Sequence, residues 1–356
     1  MKTTFETNQL LPLLKSTKCF KNRVLPSLDY FRIKIKDGVA EVTLTNLETF
    51  ITKRFPADGE LDVCLPREVL TKHLDKSKTI TIESVSDGTR ATVNGLTLSI
   101  CRVDEFPAAP AEVDTEEGIL FKGGLMSEVK AAIPFLSNDV IRPRLMGVNL
   151  TNVSGFHDVA ATNSHFLFRS RHGKSNKKDT KYDFIFRPID LIKILDGLKL
   201  TKEDVVIIKN ESHLQINYED VVIQVQLIQE KYPVIENVIP KENPIQVLFD
   251  LNELVDAINF VKVAANKTTR QIKFVFNKNR MVVSASDYDM EMHLEKEVEC
   301  NYKEDFEVGF NYTFLLSMLA SCQEKQITFE MSSPARVCLI NSKERLLLTM
   351  PVLLNS

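Results

Sequence analysis

The chain has 356 residues, more than one hydrophobic core usually holds, so two or three domains are expected. It is 44% hydrophobic and 26% charged with a formal net charge of −3, the balance of a soluble globular protein. That charge excludes a surface basic enough to wrap nucleic acid all round, so any DNA contact must be confined to one face.

No apolar run nears the roughly 18–20 residues of a membrane span. The N-terminal MKTTFETNQLLPLLKS carries no uninterrupted apolar segment of the kind that marks a signal peptide. The six cysteines (Cys19, Cys64, Cys101, Cys300, Cys322, Cys338) are scattered and form no CxxC, so they read as reduced thiols of a cytoplasmic protein.

Along the chain, the first predicted element is an amphipathic helix, LLPLLK around Pro12, where the proline predicts a kink or a late start. FRIKIKDGVAEVTLTNLETFITKRF follows, alternating runs about a hairpin signal at Asp37-Gly38. LPREVLTKHL, Leu65 to Leu74, is helical in spacing, and TITIES after it is strand-like. The same order then recurs. AIPFLS around Pro134 is the next helix, LMGVNLTNVSGFHDVAATNSHFLFRSR the next alternating block, FRPIDLIKIL the next helix and DVVIIKN the next strand. A third round has AINFVK around Asn259, IKFVFNKNRMVVSASDYDMEMHLEKEV, FNYTFLLSML and QITFEM. Asn46, Asn163 and Asp287 occupy one place in the three blocks, just before a strand.

The period is about 120 residues, and three such units fill the chain. Acid- and proline-rich connectors, PAAPAEVDTEEG and VIPKEN, separate domains over 1–115, 116–242 and 243–356. The predicted fold class is α+β, each domain with two helices packed on antiparallel sheets. Similar short helices in an α+β protein without true repeats remain the plain alternative.

Five stretches carry a specific resemblance: TNLETFITKR, ATNSHFLF, KYPVIENVIP, VGFNYTFLLSML and the C-terminal LTMPVLL. In that order they resemble motifs of the bacterial-type DNA polymerase III beta subunit, the sliding clamp, over essentially the whole length. The resemblance implies a DNA-clamp ring, a homodimer of six similar domains with helices lining the hole. It implies a non-catalytic processivity factor that encircles double-stranded DNA without sequence preference. DNA polymerase and clamp loader would dock through short peptide motifs, with no cofactor, metal or membrane.

A positive lining permits sliding, because phosphate contact is independent of sequence. Its candidates are Lys15, Lys18, Arg23, Arg67, Lys72, Lys76, Lys130, Lys193, Lys199, Lys262 and Lys267; the other reading of each is a solvated helix face. The basic run Arg169 to Lys181 reads as a loop rather than a DNA contact. Carried over from the family, one wall of a partner-peptide groove is Leu145, Thr162, Ser164, His165, Phe166, Leu167, Pro233, Asn237 and Val238. The other is Asn311, Phe314, Val337, Leu348, Met350, Pro351, Val352, Leu353 and Leu354, of which Leu348, Met350 and Leu353 could equally be core of a last strand. Phe106, Val263 and Ala264 are the implied dimer contacts, with intradomain core as the other reading of Phe106. Where the family has Gly-His-Arg-Leu this chain has Ser164-His165-Phe166-Leu167, and Leu353 replaces an arginine. The more apolar groove points to a different partner motif, as in a dedicated viral or plasmid-borne replication system.

No catalytic constellation appears in the sequence. The histidines show no ligand spacing, and Gly173-Lys174-Ser175 lacks the earlier glycine of a P-loop, Phe168 standing there. Asp287-Tyr288-Asp289 resembles a carboxylate pair for a metal, but its place beside Asn46 and Asn163 favours a turn. A repeat-built structural or adaptor protein without DNA encirclement is the reading from another class.

Overall fold

A computed structural model describes residues 2–20, 25–74, 78–84, 90–113, 118–121, 124–153, 155–174, 181–209 and 211–354. The alternating and amphipathic segments form the elements their periods dictate. The first round is β1 (Lys2–Glu6), α1 (Thr7–Ser16), β2 (Tyr30–Lys36), β3 (Val39–Thr45), β4 (Thr49–Pro56), β5 (Leu61–Pro66), α2 (Arg67–His73), β6 (Thr79–Ser84), β7 (Arg90–Val93) and β8 (Leu96–Ser99). The second is β9 (Ile119–Phe121), α3 (Leu125–Ala132), β10 (Val148–Val153), β11 (Phe156–Thr162), β12 (Phe166–Lys174), β13 (Asp183–Phe186), α4 (Ile189–Leu198), β14 (Val205–Lys209), β15 (His213–Asn217) and β16 (Val221–Ile228). The third is β17 (Ile245–Asp250), α5 (Leu251–Val261), β18 (Gln271–Asn277), β19 (Arg280–Asp287), β20 (Met292–Glu299), β21 (Phe306–Asn311), α6 (Tyr312–Ala320), β22 (Gln326–Met331), β23 (Cys338–Ser342) and β24 (Arg345–Thr349). Among the described residues, strand and helix types follow one order in all three rounds, so the fold is the expected three-fold α+β repeat.

Local chemistry accounts for the turns. Asp37 and Gly38 both take positive φ (53° and 79°), as a two-residue hairpin of matching twist requires. Lys278 and Asn279 (46° and 71°) make the corresponding turn in the third round without a glycine. Pro12 lies inside α1, which begins at Thr7, so there is no late start. Pro134 instead follows the end of α3, and residues Ile133–Phe135 tighten into a 3-10 turn.

The chain packs into two compact units. One is built mainly from Met1–Lys130 with Phe186–Gln229, the other mainly from Ala131–Lys174 with Glu230–Ser356. The middle repeat is thus shared between them. In the first unit β1-β6-β7-β8 is a four-stranded sheet ending on β8. A second antiparallel ladder runs β9-β14-β15-β16-β4-β3-β2-β5, and within it β4 of the first repeat pairs with β16 of the second. Helix α1 packs on α4 so closely that a Cβ on Gly197 would meet the Ser16 Cβ at 2.7 Å.

In the second unit the ladder is β17-β22-β23-β24-β12-β11-β10, where β12 of the second repeat pairs with β24 of the third. The sheet β20-β19-β18-β21 ends on β20. Helices α5 and α6 pack together, and the 3-10 turn at Ile133–Phe135 packs on α6. The core beneath is aromatic, with Phe249, Phe274, Phe310 and Phe329 all buried and their rings in edge or stacked contact.

Candidate functional site

The expected groove residues fall within the second unit, and the turn between β11 and β12 organises them. Asn163 Oδ1 accepts from the backbone N–H of His165 (2.9 Å) and Phe166 (3.1 Å). Thr162 Oγ1 accepts from Ser164 N–H and donates to the Phe166 carbonyl, while Ser164 takes φ +79°. The same Asx turn forms at Asn46, which accepts from Glu48 and Thr49, and at Asp287, which accepts from Asp289 and Met290. The shared turn role expected of these three positions is therefore observed.

From this turn β12 runs against β24, with Phe166 opposite Thr349 and Leu167 opposite Leu348, and the Met350 N–H donates to the His165 carbonyl (2.8 Å). The register brings Leu167, Leu348 and Leu339 into one buried apolar cluster, on which Val337, Ile235, Ile239 and Leu346 pack half-buried. Beside it, Phe135, Phe166 and Phe314 stack with centroids 4.6 and 4.5 Å apart, and the exposed His165 imidazole lies parallel to Phe314 at 6.0 Å. Asn311 caps α6 by accepting from Thr313 and Phe314 N–H, which fixes the Phe314 ring at the first turn.

Leu145 is buried, and its carbonyl accepts from Ser137 N–H. Past β24, Pro351 is half-buried and Val352 N–H donates to the Gly309 carbonyl (2.9 Å). Leu354 then lies so near Gly309 that a Cβ there would come within 2.8 Å of it. Met350, Val238, Pro233 and Asn237 are exposed, and Leu353 is 90% exposed. An apolar floor with accessible Met350, Val238 and Leu353 suits an extended apolar peptide.

Charges brace this region. Asp158, 3% exposed, accepts from both Arg169 and Arg171, and Arg169 reaches Glu236 on the segment behind Ile235 (3.9 Å). The Asp158 hydrogen bond pushes the Arg171 guanidinium pKa up. Thus Arg169 and Arg171, from the basic run, are engaged on the protein, while residues 175–180 of that run lie outside the described residues. At the near rim Arg142 binds Asp139 and the Ser164 hydroxyl, and the Arg142 hydrogen bond holds the Asp139 carboxyl below its usual range.

The candidate DNA-facing cations are not equivalent. Lys15, Lys18, Lys199 and Lys267 are exposed. Lys72 pairs with Glu68, Lys130 with Asp196 and Lys193 with Asp190, while half-buried Lys262 bonds Asn259. Arg67 donates to the Thr17 and Phe20 carbonyls, so two of its donors brace the chain after α1. Arg23 and Lys76 lie outside the described residues. Of the implied dimer contacts, Val263 is 69% exposed, whereas Phe106 and Ala264 are already buried (6% and 1%) and leave little surface to offer a partner.

Residues 236–352 match the family described as DNA polymerase III beta subunit, C-terminal domain. The beta sliding clamp of Haemophilus influenzae is 22% identical over 95% of this chain and 94% of its own length. The fold agrees with the DNA polymerase sliding clamp of Pseudomonas aeruginosa (TM-score 0.89, 20% identity, 99% of this chain and 100% of that one). It agrees as well with the DNA polymerase III beta subunit of Thermotoga maritima (TM-score 0.86, 22% identity, 99% and 100%). Over its whole length the chain has the fold of these sliding clamps, and its last third matches the family of their C-terminal domain.

The apolar cluster includes residues that sequence reasoning missed. Leu339, Ile235, Ile239 and Leu346 join the cluster because β24 lies between β23 and β12, a pairing no local pattern announces. Phe135 was legible only as part of a helix, yet it forms the buried end of the aromatic stack. Leu346 alternates with Leu348 along β24, a signal that could have found it.

Proposed function

We propose that this chain is a DNA sliding clamp: a ring that encloses duplex DNA in the cytoplasm, catalyses nothing and tethers a polymerase. The reading rests on one observation about strand joints. The fourth strand of the first repeat, β4, pairs with β16, the last strand of the second repeat. The fourth strand of the second repeat, β12, pairs likewise with β24, the last of the third. One strand of each kind is left at a sheet edge: β20 and β8. Two copies set head to tail join β20 of each to β8 of the other and close a six-repeat ring.

The helices support the same arrangement. The first helix of one repeat packs on the second helix of the next, as α1 does on α4. Helix α5 with exposed Phe260 and the 3-10 turn after it with exposed Val263, and α2 with exposed Val69, are the unmatched pair. Exposed lysines such as Lys15, Lys18 and Lys199 then meet phosphates without reading bases. The three domains correspond to 1–115, 116–242 and 243–356, and the Leu167–Leu348 groove receives short peptide motifs of polymerase and clamp loader. The test is retention on DNA after loading. The chain should stay on circular duplex and be lost once the circle is linearised. Equal behaviour on both forms would favour the adaptor reading.

A further inference from the structure

We propose that the turn Tyr288–Glu291 is an apolar latch that docks on a second copy of the chain, beside that copy's β8; this rests on the head-to-tail dimer above. The turn is the third member of a set. In the first repeat Thr45 lies opposite Phe50, and in the second Thr162 lies opposite Leu167. In the third Ser286 lies opposite His293, which lengthens the connection by two residues around the same Asx turn. Both shorter turns lean on the last strand of the next repeat. The Glu48 carbonyl accepts from Gln226 N–H (2.7 Å) and the His165 carbonyl from Met350 N–H (2.8 Å). The third turn has the corresponding place beside β20 but, among the described residues, no such strand against it in its own sheet.

The missing strand can be identified by register. Hairpins β7–β8 and β23–β24 close with the same spacing, Val93 opposite Leu96 and Ser342 opposite Arg345. Counting from there, Ile100 takes the place of Thr349. Phe166 faces Thr349, and Met292 holds the place of Phe166, so Met292 of one copy faces Ile100 of the other. The side chains agree with a covered position. Tyr288 is 89% exposed and Met290 66%, in a turn whose counterparts carry Glu48, Ser164 and His165. Large apolar side chains grouped at one turn mark a contact surface. Continuity with the open edge of β20 makes the occupant a second copy.

The chain contains no tryptophan, so Tyr288→Trp gives a single reporter. Its emission should be blue-shifted in the dimer and move to the red on dilution, in step with the fall in mass seen by sedimentation. Tyr288→Ser with Met290→Ser should raise the dimer dissociation constant at least about tenfold. Val140→Ser with Ile141→Ser, changing an equally exposed pair on the second repeat, should leave it unaltered. A dimer whose reporter indole stays water-exposed and whose serine variant dissociates normally overturns the latch alone. A chain that is monomeric at every concentration overturns the dimer reading and the latch with it.

Discussion

At the scale of single residues, the proposed groove depends on contacts that leave no room for substitution. Gly309 is the clearest. A methyl there meets Leu354 at 2.8 Å and the Val352 carbonyl at 2.9 Å, so the C-terminal segment must lift from β21. Gly309→Ala should cost about 1–3 kcal/mol of stability, read by denaturant unfolding, and weaken peptide binding. Asp139 titrates against the rim. Its carboxyl, held down by Arg142, has a folded pKa below the unfolded one. The loop's stabilisation is therefore full above the ordinary carboxylate range and is lost as pH falls through the lowered folded value. Resonances of Val140 and Ile141 followed by NMR should move only under acid conditions, and Asp139→Asn should abolish that transition. Residues also mark where sequence reasoning fell short. Arg67 has the charge and helix position of a DNA contact, but its donors go to carbonyls of a distant segment. Phe106 is aromatic and near a boundary, yet its ring is buried in its own unit. Charge and residue type are visible in a sequence; the occupancy of a guanidinium or a ring face is decided by packing.

At the scale of elements, the repeat was legible because its signals are local. Period-two alternation gives β2 to β4, β10 to β12 and β18 to β20, and the residues Asn46, Asn163 and Asp287 build one turn three times. Helices α2, α4 and α6 begin within the three similar decapeptides. Pairing between repeats was not legible. The β4–β16 and β12–β24 ladders join segments more than 160 residues apart, and nothing in either strand names its partner. That is why the apolar floor was only half foreseen: Leu167 and Leu348 were named, Leu339 and Ile235 were not. It is also why packing divides the chain into two units while the sequence divides it into three.

At the scale of the whole molecule, the proposed function follows from closure. A sheet edge left open invites pairing, and β20 and β8 are complementary in kind to joints already made. Enclosure supplies what affinity cannot: a clamp gripping DNA tightly enough to persist would not slide, whereas a closed ring needs only weak phosphate contact. A net charge of −3 accords with this, since the positive surface is needed only where DNA passes. The most direct measurement is a cross-link across the proposed closure. Phe166–Thr349 and Thr49–Val225 occupy non-hydrogen-bonded sites of their ladders, where side chains approach most closely, and Met292–Ile100 should be the third such pair. A chain carrying Met292→Cys and Ile100→Cys should oxidise to a covalent dimer at twice 40.5 kDa, while each single variant stays at one chain's mass. Failure of the double variant to cross-link, in a protein shown to be dimeric, would contradict this closure.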